Sequence, residues 1–240
     1  MRLGPFAFTP TWIPTIATVL ILPVLLHLGF WQLNRGAEKA HWQERFDTLK
    51  NLDPQPLSGL PDYQPNQRFI QVSVIVRYLN NRQFLLDNRT HQGAAGYHII
   101  TPLQKEDGTI VLVNRGWLPV GNSRAELPDI NVPTGLRTID GQVVPAIADA
   151  FILGPAGYET PLWPKVVQRL EPSKIETLLN KGTVRTQVVR LSGAETDGYL
   201  RAWRAHFGIT QERHQGYAFQ WFALSIALVA IYFVVNIQRL

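Results

Sequence analysis

A membrane-anchored α+β protein, with two antiparallel transmembrane helices at the termini flanking a mainly antiparallel β domain, is predicted by three features of the 240-residue chain. Long apolar runs without charge lie at both ends. The segment between them is polar and alternates with period two. That segment is also punctuated by Gly, Pro, Asn and Asp at turn positions. The β domain is expected to be a small barrel or sandwich with one short helix. Expected boundaries are a tail over 1–11, a first span over 12–33, the β-rich domain over 34–216, a second span over 217–237 and a tail over 238–240.

Composition narrows the classes further. An apolar fraction of 45% suits a folded rather than a disordered chain. The absence of cysteine excludes disulfides, thiolate chemistry, iron–sulfur clusters and the usual structural zinc sites. The net charge of +5 is scattered and forms no basic stripe interleaved with aromatics, so no nucleic acid is expected as a partner. Attraction to the surface of a lipid bilayer suits it better.

In chain order, the first span has no charge between Arg2 and Arg35 and contains Pro14 and Pro23, the second expected to kink it. The run is long for a signal peptide, and Gly29–Leu33 lacks a small-x-small cleavage site, so it reads as a retained anchor. Ala37–Lys50 continues as a helix, with Trp42, Phe46 and Leu49 at helical spacing. Asp53-Pro-Gln-Pro56 is stiff and extended and marks a boundary. Val72, Val74, Val76 and Tyr78 then alternate with Gln71, Ser73, Ile75 and Arg77, and the Asn80-Asn81 turn leads into Gln83–Asp87 as a hairpin. Tyr97–Leu103 and Thr109–Asn114 flank a turn at Glu106–Gly108, and Arg137–Val144 and Val184–Ser192 add further strands. Between the last two lie a Pro/Gly-rich loop, Pro145–Pro164, and a short helix. Pro172 opens that helix, Ile175, Leu178 and Leu179 share one face, and Gly182 is its expected stop. Tyr217–Ile237 is the second charge-free run.

Two spans place both termini on one side of the membrane and Asn34–Gly216 on the other. Arg35, Lys39, Arg45, Arg204 and Arg213 flank the domain, against Arg2 and Arg239 at the termini, which favours a cytoplasmic domain. Such a count carries little weight for loops longer than about 60 residues, so these residues leave the orientation open.

Generic enzyme signals are absent: there is no GxGxxG, Walker loop, G-x-S-x-G elbow or H-E-x-x-H. His91 and His98 match no compact metal motif and read as loop histidines near a strand. His27 lies inside the first span, where an ionisable group is either functional or bonded to a nearby main-chain carbonyl. Gln32 and Gln220 fall at similar depth in an antiparallel pair and are expected to bond to each other. His214, Tyr217, Ala218 and Trp221 form one helical stripe, with Ser225 a turn deeper. Two readings fit the stripe: a wall for a flat ligand, or an interfacial aromatic belt.

Several blocks together carry a family resemblance. They are Gly29-Phe-Trp-Gln-Leu-Asn-Arg35 with Lys39; Asp87-Asn-Arg89 followed by Gly96-Tyr97 and Thr101-Pro-Leu103; Val113-Asn-Arg-Gly-Trp-Leu-Pro119; Trp163-Pro164; and His214-Gln-Gly-Tyr-Ala-Phe-Gln-Trp-Phe222. In this order, between two terminal spans, the chain resembles the Surfeit locus protein 1 family of cytochrome oxidase assembly factors along nearly its whole length. One departure is Thr210-Gln211, where the family often has a proline shortly before the histidine.

The resemblance implies a non-enzymatic factor that delivers or inserts haem a into subunit I of the terminal oxidase. Its central domain would be periplasmic, in the bacterial inner membrane, with haem a synthase as a further candidate partner. His214 would be the haem-iron ligand, with Tyr217 and Trp221 beside the cofactor. Arg115 is expected near the end of a strand stopped by Gly116 and Pro119, where it either reaches haem propionates or lipid phosphates or is buried against Asp87. His27 is not expected to be the trans ligand, because helical rise offsets it from His214 by about 13 Å. A scaffold that binds oxidase subunits and never holds haem is the alternative.

Overall fold

The structure, a computed structural model, describes residues 2–3, 6–121, 123–124, 126–130, 132–146, 156–203 and 208–239. Arg204 and residues 147–155 of the Pro/Gly-rich loop lie outside the described residues. The chain divides into a helical unit, Met1–Phe46 with Ala205–Leu240, and a β unit, Asp47–Arg204. In order, the elements are β1 (Arg2–Leu3), β2 (Phe6–Phe8), α1 (Trp12–Leu49), β3 (Gln55–Pro56), β4 (Gln71–Tyr78), β5 (Phe84–His91) and β6 (Ala94–Gln104). There follow β7 (Ile110–Pro119), β8 (Leu136–Pro145), β9 (Lys165–Val167), α2 (Pro172–Leu179), β10 (Val184–Leu191), α3 (Gln211–Asn236) and β11 (Ile237–Arg239).

In the helical unit, α1 and α3 are long and apolar enough to cross a membrane. Pro14 sits in the first turn of α1, where a main-chain N–H has no helical partner to lose. The helix passes Pro23 without interruption and continues beyond Leu33 as one element. α3 opens before the expected span because Thr210 caps it, its hydroxyl accepting from Arg213 N at 3.5 Å. The outward faces are uncovered and apolar: Phe219, Ile226 and Val234 are each more than two-thirds exposed.

Between α1 and α3 runs a seam of small residues. Gly29 and Gly36, seven apart, share one face of α1. A Cβ added at Gly29 would lie 2.6 Å from the Phe222 ring, and one at Gly36 3.3 Å from His214 Cβ. Glycine here lets the two backbones approach closely. At the other end of the pair, Thr11 N donates to Asn236 Oδ1 at 2.7 Å, and the Thr15 and Tyr232 hydroxyls lie 3.1 Å apart. The short β1, β2 and β11 pair antiparallel beside that end.

In the β unit, β4, β8, β10, β7 and β6 are hydrogen-bonded in that order. β6 then returns to β4 through Arg77↔Gln104 and Tyr78↔Leu103, which closes a five-stranded barrel. β5 and β9 extend the sheet past β6, and β3 lies beside β4. Pairing is antiparallel except for β10–β7, β5–β9 and β3–β4. Val72, Val74, Val76 and Tyr78 point inward as their alternation predicts, meeting Val111, Val113, Ile139, Val143, Val189 and Leu191.

Three local expectations are corrected. α2 ends at Leu179 and is capped by Asn180 with a left-handed φ of 45°, two residues before Gly182. Its Leu178 is exposed, while Ile175 and Leu179 are buried. β7 does not stop at Gly116. That residue's φ of +120° and missing side chain admit the Tyr199–Leu200 backbone, so that Trp117 N donates to Leu200 O at 2.8 Å and Tyr199 N to Arg115 O at 2.7 Å. His91 and His98 lie in strands β5 and β6 rather than in loops.

Gly96 illustrates close packing in this sheet. A Cβ there would sit 2.5 Å from Trp117 Nε1, the indole N–H that donates to Arg89 O at 3.0 Å. Gly96→Ala is expected to displace the ring and lower stability by about 1–3 kcal/mol in denaturant titrations. Gly59→Ala, with open space around the added methyl, should stay within about 0.5 kcal/mol of wild type.

Candidate functional site

Capping by Thr210 sets the phase of α3. It places His214 in the opening turn, with its N–H closing on Thr210 O at 3.1 Å. Helical periodicity then turns His214, Ala218 and Ser225 to one face, and all three are buried. Trp221 and Phe222 are half-buried at its edge, and Ser225 Oγ donates to Trp221 O at 2.9 Å. Tyr217 is 43% exposed and lies outside it. This buried face meets Gly29 and Gly36, so the centre of the stripe is the helix–helix seam and only its flank, Tyr217 and Trp221, is open.

The expected Gln32–Gln220 bond does not form. Gln220 is exposed, because two residues, about 200° of helix, separate it from buried Ala218. Gln32 instead meets His214, with Oε1 2.6 Å from Nδ1. An amide oxygen can only accept, so Nδ1 carries the proton, and in the neutral ring Nε2 keeps its lone pair. Among the described residues the His214 ring makes its side-chain hydrogen bond through Nδ1 and none through Nε2. Gln32 thereby fixes the orientation of the His214 imidazole.

His27 is exposed, on the side of α1 roughly opposite the Gly29–Gly36 face. His214 lies level with the turn between Gln32 and Gly36, so about 8–13 Å of helical rise separates the two imidazoles. Among the described residues no group of three or more His, Asp or Glu could hold a bare metal ion. A single imidazole with a free lone pair instead fits an iron already held by a macrocycle, which needs only an axial ligand from protein.

Arg115 belongs to the β unit and is buried on β7. Its Nε donates to Asp197 O at 2.8 Å, and its guanidinium lies over the rings of Tyr78 and Tyr199 at 5.5 and 5.2 Å. It does not pair with Asp87, whose two oxygens take Arg124 at 2.8 and 2.7 Å. Asp197 also pairs with Arg137 and accepts from the Tyr78 hydroxyl at 3.4 Å. Burial pushes the Tyr78 phenol up to about 12, with Arg115 opposing. Sequence reasoning missed Asp197 and Tyr199, which no motif marks. It found Gln32 as a polar group needing a partner but assigned the wrong one.

Comparison with known proteins gives a consistent result. The model described as the SURF1 family matches residues 19–226. A SURF1-like protein of Rickettsia felis is 24% identical over 221 residues, which is 91% of this chain and 95% of the relative. One from Rickettsia bellii is 27% identical over 227 residues, covering 91% and 89%. The cytochrome oxidase assembly protein SHY1 of Saccharomyces cerevisiae is 28% identical over 107 residues, covering 43% of this chain and 28% of the relative.

Replacing Gln32 by Leu removes the acceptor and leaves the His214 N–H buried and unpaired. The α1–α3 pair is expected to weaken by about 1–3 kcal/mol in unfolding from detergent micelles. Nitrogen NMR of the imidazole should report the Nδ1–H form in wild type and a mixture of tautomers in Gln32→Leu.

Proposed function

The chain belongs to the SURF1 family, and from that premise we propose that it is a non-enzymatic factor in cytochrome oxidase assembly that binds haem a and assists its delivery or insertion into subunit I. The observation that carries the haem reading is the His214–Gln32 bond, which leaves Nε2 as a lone-pair donor at the start of an apolar helix. Haem a is cargo in this reading, bringing an iron that accepts an axial nitrogen and an apolar tail that prefers hydrocarbon.

The chain's own residues bind and orient. His214 offers Nε2, Gln32 fixes the ring, and Trp221 with exposed Tyr217 flanks the imidazole on α3. The seam is already filled by Gly29, Gly36 and Phe222, which leaves the flank of α3 as the open side. Arg115 has its hydrogen bond inside the β unit, and contact with a propionate would require giving up part of that arrangement. The second iron ligand comes from another chain, a loop residue or water. Handing the cargo on then needs release of the His214 bond, with oxidase subunit I as acceptor and haem a synthase as a candidate donor.

α1 and α3 are placed across the bacterial inner membrane with the β unit on the periplasmic side. Their length and uncovered apolar faces support the crossing, and the family supports the side. A phosphatase active only after export, fused at Gly108 in the Glu106–Gly108 turn, should be active, and a reporter active only in the cytoplasm should be silent there. The opposite pattern reverses the topology.

The visible spectrum of protein purified from cells that make haem a decides between carrier and scaffold. His214→Ala should lose the haem absorbance, whereas His27→Ala should keep both its intensity and its Soret position. A wild-type protein with no haem absorbance would leave the scaffold reading standing.

A further inference from the structure

Apart from His214, the densest unexplained chemistry lies on the outer face of the barrel sheet. Arg190 on β10 pairs in register with Asn114 on β7, and Asn114 Nδ2 lies 3.1 Å from His98 Nδ1 on β6. Trp203 covers both cationic and imidazole groups. The Arg190 guanidinium lies 5.3 Å from its ring centre, and the His98 ring meets it edge-on at 5.8 Å. The indole is held in place by Nε1 donating to Leu191 O at 2.7 Å. Arg89, at the far end of β5, has its carbonyl fixed by the Trp117 indole, while its own buried Nε has no hydrogen-bond partner.

These charges have little compensation. Neither Arg89 nor Arg190 has an ion pair among the described residues, and both oxygens of Asp87, the acid nearest Arg89 in sequence, are taken by Arg124. Burial first, and then Arg68 and Arg89, push Arg190 down to about 10. Burial first, and then Arg89 and Arg190, push His98 down to about 4, so it is neutral at pH 7. The groups facing His98 are therefore the two guanidiniums, the Asn114 amide and the Trp203 ring. Asp87 acts on Arg89 through space but is hydrogen-bonded to Arg124 instead; guanidiniums gathered this way without a carboxylate bonded to them are costly to bury and are what a planar or tetrahedral oxyanion matches.

We propose that Arg190 and Arg89, with Asn114, His98 and Trp203 between them, form a binding site for the phosphate or carboxylate group of a small ligand. The site lies wholly in the β unit and does not depend on His214 or on haem. Two chain segments marked by the family resemblance, Asp87–Arg89 and Val113–Pro119, converge on it from different strands.

The test uses the full chain in detergent, titrated at constant ionic strength with inorganic phosphate and, separately, with succinate. Calorimetry should show saturable binding of at least one probe, and the tighter one names the ligand class. Arg190→Gln and Arg89→Gln, each checked for a wild-type unfolding transition, should each weaken it by about tenfold or more. In wild type, saturation should raise the pH at which the His98 proton resonances titrate, because the anion offsets the two cations. Absence of saturable binding by both probes, or unchanged affinity in both folded variants, overturns the site. Should the variants not fold, the His98 titration decides: no saturable shift with either probe overturns it.

Discussion

One bond between two polar side chains, Gln32 to His214, is the constraint on which the helical unit turns. Each group alone would be a liability between apolar helices, since an unpaired amide or imidazole N–H away from water costs on the order of a hydrogen bond or more. Together they satisfy each other, and they do so only where the backbones come close. Gly29 and Gly36 supply that closeness, because any side chain there would meet Phe222 or His214. The same bond decides the imidazole tautomer. Packing, register and ligand chemistry at this point are thus one arrangement rather than three.

The β unit has its own equivalent around Asp197. β4, β7 and β8 present Tyr78, Arg115 and Arg137, and the segment after β10 brings Asp197 and Tyr199 to them. The Asp197 carboxylate pairs with Arg137 while its main-chain oxygen accepts from Arg115, and these contacts tie the 197–200 segment down over the barrel. Gly116 is the backbone counterpart, since its left-handed φ lets Tyr199 and Leu200 pair with β7.

What the sequence revealed follows from how local each feature is. The inward alternation of Val72, Val74, Val76 and Tyr78, the turns at Asn81 and Gly108 and the opening of α2 at Pro172 depend on neighbours a few residues away, and they were legible. The hairpin expected across Asn80-Asn81 does not form, because β4 pairs with β3, β8 and β6 while β5 pairs with β6 and β9. Barrel closure depends on two residue pairs between β4 and β6, and the parallel β10–β7 pairing joins segments some seventy residues apart, so neither leaves a periodic trace. His214 stood out in the sequence because an ionisable residue beside a charge-free run is conspicuous, and the structure buries it at the helix–helix seam. Its partner was not, since the choice between Gln32–Gln220 and Gln32–His214 rests on the rotation of α3, which its Thr210 cap sets. The pairing of Arg190 with Asn114 is likewise a product of strand order.

The polar contacts of α1 and α3 lie at opposite ends of the pair, and their spacing has a physical meaning. Thr11 meets Asn236 at one end and Gln32 meets His214 at the other. Along either helix the distance between the two contacts is about 32 Å of rise, close to the thickness of a hydrocarbon core of about 30 Å. Two bonds that far apart in an antiparallel pair leave no freedom to slide, because a shift of one turn would unpair both. In the proposed membrane crossing, the bilayer and the hydrogen bonds would favour the same register. That placement would put His214 at the level where hydrocarbon gives way to headgroups. For the proposed cargo, with a charged edge and an apolar tail, the height of the imidazole would then follow from the helix pair itself.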